Sequence, residues 1–340
     1  MGKIGNLELN RIYQMDCIEG MRLLPDESID LIIADPPYYK IKGDFDFQWR
    51  TMDEYLSWCS KWIKECERVL SPRGSLYVYG VELQLEYIAT IIDKTTKLEY
   101  KNRITLNKRS YIKDKYGHME HFRKYIPVAE YLLFYTFRDE TGLTKVKHDL
   151  NNFATLRNYF REFQEALGLT KKAIIDRIGQ RADHCFRWGS SQWDLPTPET
   201  YEDLLKLPRR ADFEPRSYES LRQEYESLRK EYESIRREYE NNRYTFNAKD
   251  GMTNVWDFEP DRGKQKTKHP TQKPLAICER IISVSSNEGD IVLVPFAGSG
   301  SECVAALRNN RHFIGFEREP EYVEIANKRL ENVWDELKSV

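Results

Sequence analysis

Two short apolar runs, Ile29-Asp30-Leu31-Ile32-Ile33-Ala34 and Ile291-Val292-Leu293-Val294, each stop in a loop that no regular element can continue. Short, branched and mostly apolar, they read as strands of a parallel sheet covered on both faces. The first runs into Asp35-Pro36-Pro37-Tyr38. Consecutive prolines fix φ, remove two backbone donors and force an extended turn whose carbonyls have no sheet partner. A carboxylate, free carbonyls and an aromatic ring therefore converge at one strand end. The second run leads to Phe296-Ala297-Gly298-Ser299-Gly300. Its glycines let backbone approach a ligand closely before a helix begins near Ser301.

Each loop suggests a chemistry. An aromatic amine such as N6 of adenine is a poor nucleophile because its lone pair is delocalised into the ring. Hydrogen bonds from its two hydrogens to the Asp35 carboxylate and the Pro36 carbonyl would favour the pyramidal nitrogen that frees this pair, with Tyr38 stacked on the base. The competing reading is a Pro-Pro turn that merely ends a strand. Beyond the glycine loop, His312-Phe313-Ile314-Gly315-Phe316 ends at Glu317, 19 residues after Gly298. An acid at that place takes the ribose hydroxyls of an adenosine cofactor. A nicotinamide-binding loop competes, but Cys303 stands where the third glycine of G-x-G-x-x-G belongs. The pattern thus favours a cofactor without phosphates, such as S-adenosyl-L-methionine.

Asp-Pro-Pro-Tyr, Lys268-His269-Pro270-Thr271-Gln272-Lys273-Pro274 and Phe-Ala-Gly-Ser-Gly, in this order, resemble the amino methyltransferases of DNA in their β arrangement. In that arrangement the catalytic half precedes the cofactor half. The likeness extends over roughly residues 7 to 137 and 252 to 332, and includes Met15-Asp16-Cys17-Ile18-Glu19 and Glu67-Arg68-Val69-Leu70-Ser71-Pro72-Arg73-Gly74. It implies an α/β fold: a doubly wound, Rossmann-like sheet of seven strands, one of them antiparallel. The two loops would leave adjacent central strands where the winding reverses. It also implies Asp35, Pro36, Pro37 and Tyr38 as catalytic residues. Phe296, Gly298, Ser299 and Gly300 would surround the methionine and ribose, Glu317 would bind the ribose, and Asp16 would meet the adenine. Thr271 and Lys273 would complete the methionine side. Two departures stand out: Val294 replaces the Asp usual before Pro-Phe, and Ser301-Glu302 replaces the common paired threonines. The first removes a polar contact near the methionine end.

Lys and Arg number 53 against 55 Asp and Glu, so the distribution of charge says more about partners than its sum. Between Lys97 and Lys124, basic residues including Lys108, Arg109, Lys113 and Arg123 alternate with Tyr100, Tyr111, Tyr116 and Phe122. Beside a site for a flipped base, such a stretch reads as phosphate contact. A second basic stretch runs from Arg262 to Lys268, and Ala129 to Phe137 reads as one more strand.

Residues 140–248 interrupt the likeness and are expected to form a mainly helical insert for target recognition, between a catalytic half (1–139) and a cofactor half (249–340). Leu169 to Gly179 reads as a helix with a glycine turn, and Ala182 to Trp188 as a second short helix. Ile174, Ile178, Cys185 and Trp188 have the spacing of a repressor-type helix-turn-helix core, which gives the chain a phage- or prophage-like cast. Arg181, Asp183, His184 and Arg187 would be exposed for DNA contact. From Tyr218 a seven-residue unit repeats, placing Tyr218, Leu221, Tyr225, Leu228, Tyr232, Ile235 and Tyr239 in one stripe. This helix, at about 217–243, is expected to pack on its own domain, with homodimerisation as the alternative.

Six scattered cysteines without a C-x-x-C pair suggest reduced thiols and no metal site. No signal peptide or membrane-length apolar run is visible, so a cytoplasmic protein is expected. The reading is a site-specific methyltransferase that transfers a methyl group from S-adenosyl-L-methionine to N6 of a flipped adenine in duplex DNA. The alternatives are N4-cytosine methylation, a catalytically weakened DNA-binding regulator, and methylation of RNA or of a protein glutamine.

Overall fold

The computed structural model describes residues 2–40, 46, 48–108, 123, 125, 128–137, 153–188, 190, 192–247, 249, 252–259, 261–263 and 266–338, with only the backbone at 236 and 238–242. The chain forms two compact units, residues 1–138 with 244–340, and residues 139–243.

The first unit is built on β3 (Arg11–Gln14), β4 (Ile29–Ala34), β5 (Leu70–Gly80), β6 (Leu98–Asn107), β7 (Ala129–Phe137), β8 (Val255–Asp257), β9 (Ile291–Val294) and β10 (His312–Glu317). Their order in the sheet is β3-β10-β9-β4-β5-β7-β6-β8. A small ribbon of β1 (Lys3–Ile4) and β2 (Leu7–Glu8) precedes them. The two apolar runs are neighbours, Leu31 opposite Val292 and Ile32 opposite Leu293, and parallel. From β4 the sheet continues through β5, and from β9 it continues the other way through β10. The winding therefore reverses between them, and both loops leave at the same edge. β7 is antiparallel to β5 and β6.

Among the described residues the sheet has eight strands, where seven were expected. The extra one, β8, pairs parallel with β6 over three residues. It is too short to show an alternating pattern, and Trp256 anchors it by burying its ring beneath the Arg280 guanidinium, 4.4 Å away.

One face of the sheet is covered by α1 (Cys17–Arg22), α2 (Met52–Val69) and α3 (Glu82–Thr95), the other by α8 (Leu275–Ser285), α9 (Ser301–Arg308) and α10 (Pro320–Lys338). In α2 the buried residues Tyr55, Cys59, Trp62, Ile63, Cys66 and Val69 keep a helical spacing that turns one stripe to the core.

The second unit comprises α4 (Ala154–Leu167), α5 (Lys171–Ile178), α6 (Pro198–Leu205) and α7 (Tyr218–Asn242). Thr170 caps α5 by accepting from Ala173 N at 3.2 Å, and Gly179, at φ 97°, ends it. The expected second helix over Ala182 to Trp188 does not form. Two 3-10 turns, Gln180–Ala182 and His184–Phe186, take its place. Carbonyls there are used otherwise: Cys185 O accepts from Trp193 Nε1 at 2.9 Å, and Trp188 O from Arg157 Nη1 at 3.0 Å. Asp183 is buried rather than exposed. It is ion-paired with Lys171 and Arg187, whose hydrogen bonds hold its carboxyl below the usual range.

The heptad stripe meets this unit's own aromatic core. Leu221 is fully buried there, with Tyr218, Tyr225 and Leu228 packed against it. All six cysteines are free and buried. Among the described residues, no helix is long and apolar enough to cross a membrane, and no group of three or more His, Cys, Asp or Glu could hold a metal.

Leu221→Ala should destabilise the helical unit by about 2–5 kcal/mol, the usual effect of truncating a fully buried leucine. Urea unfolding followed by tryptophan fluorescence checks this.

Candidate active site

The Asp-Pro-Pro-Tyr and glycine loops form opposite parts of one cleft, about 830 Å³ including the space open to solvent. Asp35, Pro36, Pro37 and Tyr38 line it together with Asp16, Thr271, Phe296, Gly298 and Glu317. These nine sequence-derived residues come from five separate segments.

The glycine loop is fixed from several sides. Ala297 N donates to Phe316 O at 2.8 Å, and Gly298 N to Glu317 Oε2 at 2.8 Å. Gly298 has φ 48°, and a Cβ there would come within 3.1 Å of His269 Nε2. Gly300 has φ 75°, and a Cβ there would lie 2.9 Å from Ala326 Cβ. Both positions therefore require glycine. Glu317 Oε1 accepts from Glu319 N at 2.9 Å, and burial raises this carboxyl despite the backbone bonds. Asp16 caps α1, accepting from Ile18 N at 2.9 Å.

Three expected cofactor residues sit elsewhere. Ser299 and Gly300 lie behind the cleft lining. There Arg329 Nη1 donates to Ser299 O at 2.8 Å and to Ser301 Oγ at 3.0 Å. Lys273 lies on the catalytic side, its Nζ 2.9 Å from Asp35 Oδ2 and 3.1 Å from the Tyr38 hydroxyl. The Tyr38 hydroxyl in turn donates to Asp35 Oδ1 at 2.8 Å. Burial pushes Asp35 up against the pull of Lys273 and Tyr38. Burial also works against the Lys273 ammonium, but Asp35, Tyr38 and Glu130 outweigh it and hold it well above its ordinary value.

A second carboxyl lies in this region. Glu302, in the first turn of α9, is 4% exposed, and its Oε1 has no hydrogen-bond partner. Burial, and next the negative charge of Asp35, raise it to about 7.

Sequence reasoning missed His269, Trp49 and Trp58 in the cleft, although His269 stood in a quoted string. Trp58 projects from α2, its ring 5.7 Å from Phe296 and 4.7 Å from Trp49. Of the expected DNA contacts, Lys108 is ion-paired with Glu130, and Arg123 is exposed. Arg109 and Lys113 lie outside the described residues. In the helical unit Arg181 pairs with Asp203 and Arg187 with Asp183, while His184 is exposed.

The cleft suits an adenosine cofactor without phosphates. Its carboxylates, Asp16 and Glu317, can accept from the hydroxyls and amine of an adenosine, and Cys303 stands where a pyrophosphate loop would have its third glycine. The chain thus has a doubly wound sheet with such a cleft at its switch point, and a carboxylate at the end of the strand beside it. The family model described as DNA methylase, for N6 and N4 amino methyltransferases, matches residues 29–328, and the chain belongs to that family. S-adenosyl-L-methionine is accordingly its cofactor.

Similar curated proteins include Type II methyltransferase M.HpaI of Haemophilus parainfluenzae, 27% identical across 97% of this chain and 77% of its own length. Another is DNA adenine methyltransferase YhdJ of Escherichia coli K12, 27% identical across 97% of this chain and 85% of its own length. Among solved structures, the M1.HpyAVI-SAM complex aligns with TM-score 0.52 and 20% identity, covering 94% of this chain and 98% of that one.

Glu302 makes stability depend on pH. Native Glu302 keeps its proton to about 7, whereas the unfolded carboxyl loses it near 4.5, so between those values the native state binds more protons. Stability therefore falls as pH rises through this window, by about 3 kcal/mol in all. Glu302→Gln should remove that component. Urea midpoints at pH 4.5 and 8 should show a larger drop in the wild type than in the variant.

Proposed function

We propose that this chain methylates N6 of a specific adenine in duplex DNA, the base being rotated out of the helix into the cleft. The observation that carries this reading is the Asp35 carboxylate at the end of β4, in the same cleft as Phe296, Gly298 and Glu317. When bound, the cofactor supplies an electrophilic methyl group on its sulfonium. Glu317 and Asp16 hold its adenosine, and the backbone of the glycine loop lies along its methionine side.

Asp35 and the Pro36 carbonyl accept the two amine hydrogens and hold the nitrogen pyramidal, while Tyr38 stacks on the base. Positioning and fixed charge supply most of the acceleration. Asp35 need not remove a proton first, because a methylated aromatic amine is strongly acidic. Adenine is favoured over cytosine N4 because the first position of the loop is Asp rather than Ser, and the relative YhdJ is named an adenine methyltransferase. The inserted helical unit reads the target, with Arg181, His184 and Arg187 among its contacts. Lys108 and Arg123 meet phosphates beside the site.

Asp35→Ala should lower methyl transfer to DNA by about a hundredfold or more, as removal of a central polar group does. Cofactor binding, measured by calorimetry, should persist, and retained turnover would refute the assignment. Single-molecule sequencing of DNA from cells expressing the protein should show N6-methyladenine at one recurrent site; N4-methylcytosine there would overturn the choice of base.

A further inference from the structure

Ser299 was expected against the cofactor, yet its carbonyl and hydroxyl are taken by α10 instead. Arg329 of that helix reaches the glycine loop with one nitrogen, Nη1, which donates to Ser299 O at 2.8 Å, Ser301 Oγ at 3.0 Å and Ser299 Oγ at 3.2 Å. Ser299 and Ser301 are 4% and 1% exposed, so water does not replace this donor. Burial lowers the Arg329 guanidinium, with Asp261 and Glu302 opposing, and an arginine so placed keeps its charge.

Ser299 stands between the two loop glycines at positive φ, Gly298 and Gly300. Rotating the Ser299–Gly300 peptide changes ψ at 299 and φ at 300, and glycine accepts either sign of φ. Two hydrogen bonds resist that turn. Gly300 N donates to Ala297 O at 2.6 Å at one end of the peptide, and Ser299 O accepts from Arg329 at the other. Without the guanidinium a buried carbonyl loses this donor, and the peptide is drawn to turn toward another. Phe296 and Gly298 of the same loop line the cleft, so the change would reach the wall that the ligand meets.

We infer that Arg329 is the positioning residue of the glycine loop: from behind the cleft it holds the Ser299–Gly300 peptide in one orientation, and thereby sets the affinity for S-adenosyl-L-methionine. The inference rests on the reading that this loop lies along the cofactor. The order of the loop is then supplied by the fold before the ligand arrives, and binding does not have to create it.

Calorimetric titration of the full chain with S-adenosyl-L-methionine and with S-adenosyl-L-homocysteine tests this, with melting midpoints of the unliganded protein as the control for folding. Arg329→Met should raise Kd for both ligands about tenfold. Arg329→Lys, which keeps the charge but not the planar fork, should raise it about threefold. In steady-state methylation the loss should fall on KM for the cofactor more than on kcat. Ser301→Ala should raise Kd about twofold by itself and add nothing to Arg329→Met, because both act through one contact.

An arginine that merely pins α10 to the sheet would lower the melting midpoint and leave Kd alone. A wild-type Kd in Arg329→Met overturns the inference, and so does an additive effect of the two substitutions. If Arg329→Met melts too early to titrate, Arg329→Lys decides by the same measure. Glu317→Ala in the same series separates the two failures. A wild-type Kd there overturns the reading of the cleft and the role of Arg329 with it, whereas a raised Kd leaves that role to stand or fall on the Arg329 variants.

Discussion

The parallel pairing of β4 with β9 is the contact on which the site depends. Leu31 against Val292 and Ile32 against Leu293 bring together loops that begin about 260 residues apart in sequence. A side chain in a strand alternates sides with each residue, so a shift of one position in this register would turn Ala34 and the loop after it toward the wrong face. The apolar cover of both faces excludes such a shift, because every residue of β4 except Asp30 is fully buried. Asp30 is kept at the strand's beginning, where its Oδ2 accepts from Ile291 N at 2.9 Å and ties the two strands at the end away from the cleft. The catalytic loop is thus placed by core packing, and the glycine loop by hydrogen bonds that it donates to Phe316 O and the Glu317 carboxylate and one that it accepts from Arg329.

Around this frame lies a group of buried charges that adds little to stability. A buried ion pair such as Lys273–Asp35 is often worth no more than the apolar residues that could replace it. Glu302, with an unpartnered oxygen, costs stability whenever it ionises. Val294 is buried in the apolar layer beneath α8 and α9. Polar groups retained at such a cost are expected where chemistry needs them.

Much of the frame was legible in the sequence because it depends on local signals. The apolar runs, the double proline and the φ-positive glycines each require one backbone geometry, and Glu317 follows from its distance to Gly298. What escaped was set by tertiary contact. Lys273 read as a cofactor residue because its string neighbours the glycine loop, yet the fold turns its ammonium to Asp35. The helix expected over Ala182 to Trp188 had the right spacing of apolar residues, but side chains from Arg157 and Trp193 claim its carbonyls. β8 has three residues and no pattern to read. Trp49 and Trp58 gave no signal, since aromatic residues in an amphipathic stretch read first as core.

The burial of every cysteine has a practical side. Burial raises the thiols of Cys59 and Cys185 to about 12 and pushes the other four up as well. Thiolate, the form that reacts with alkylating reagents and oxidants, is therefore scarce in the native chain at neutral pH. The folded protein should react slowly with such reagents, and each opening of its core exposes thiols of ordinary reactivity. Because Cys185 lies in the helical unit and the other five in the sheet unit, mass-resolved alkylation would read the opening of the two units separately, with no label added to the chain.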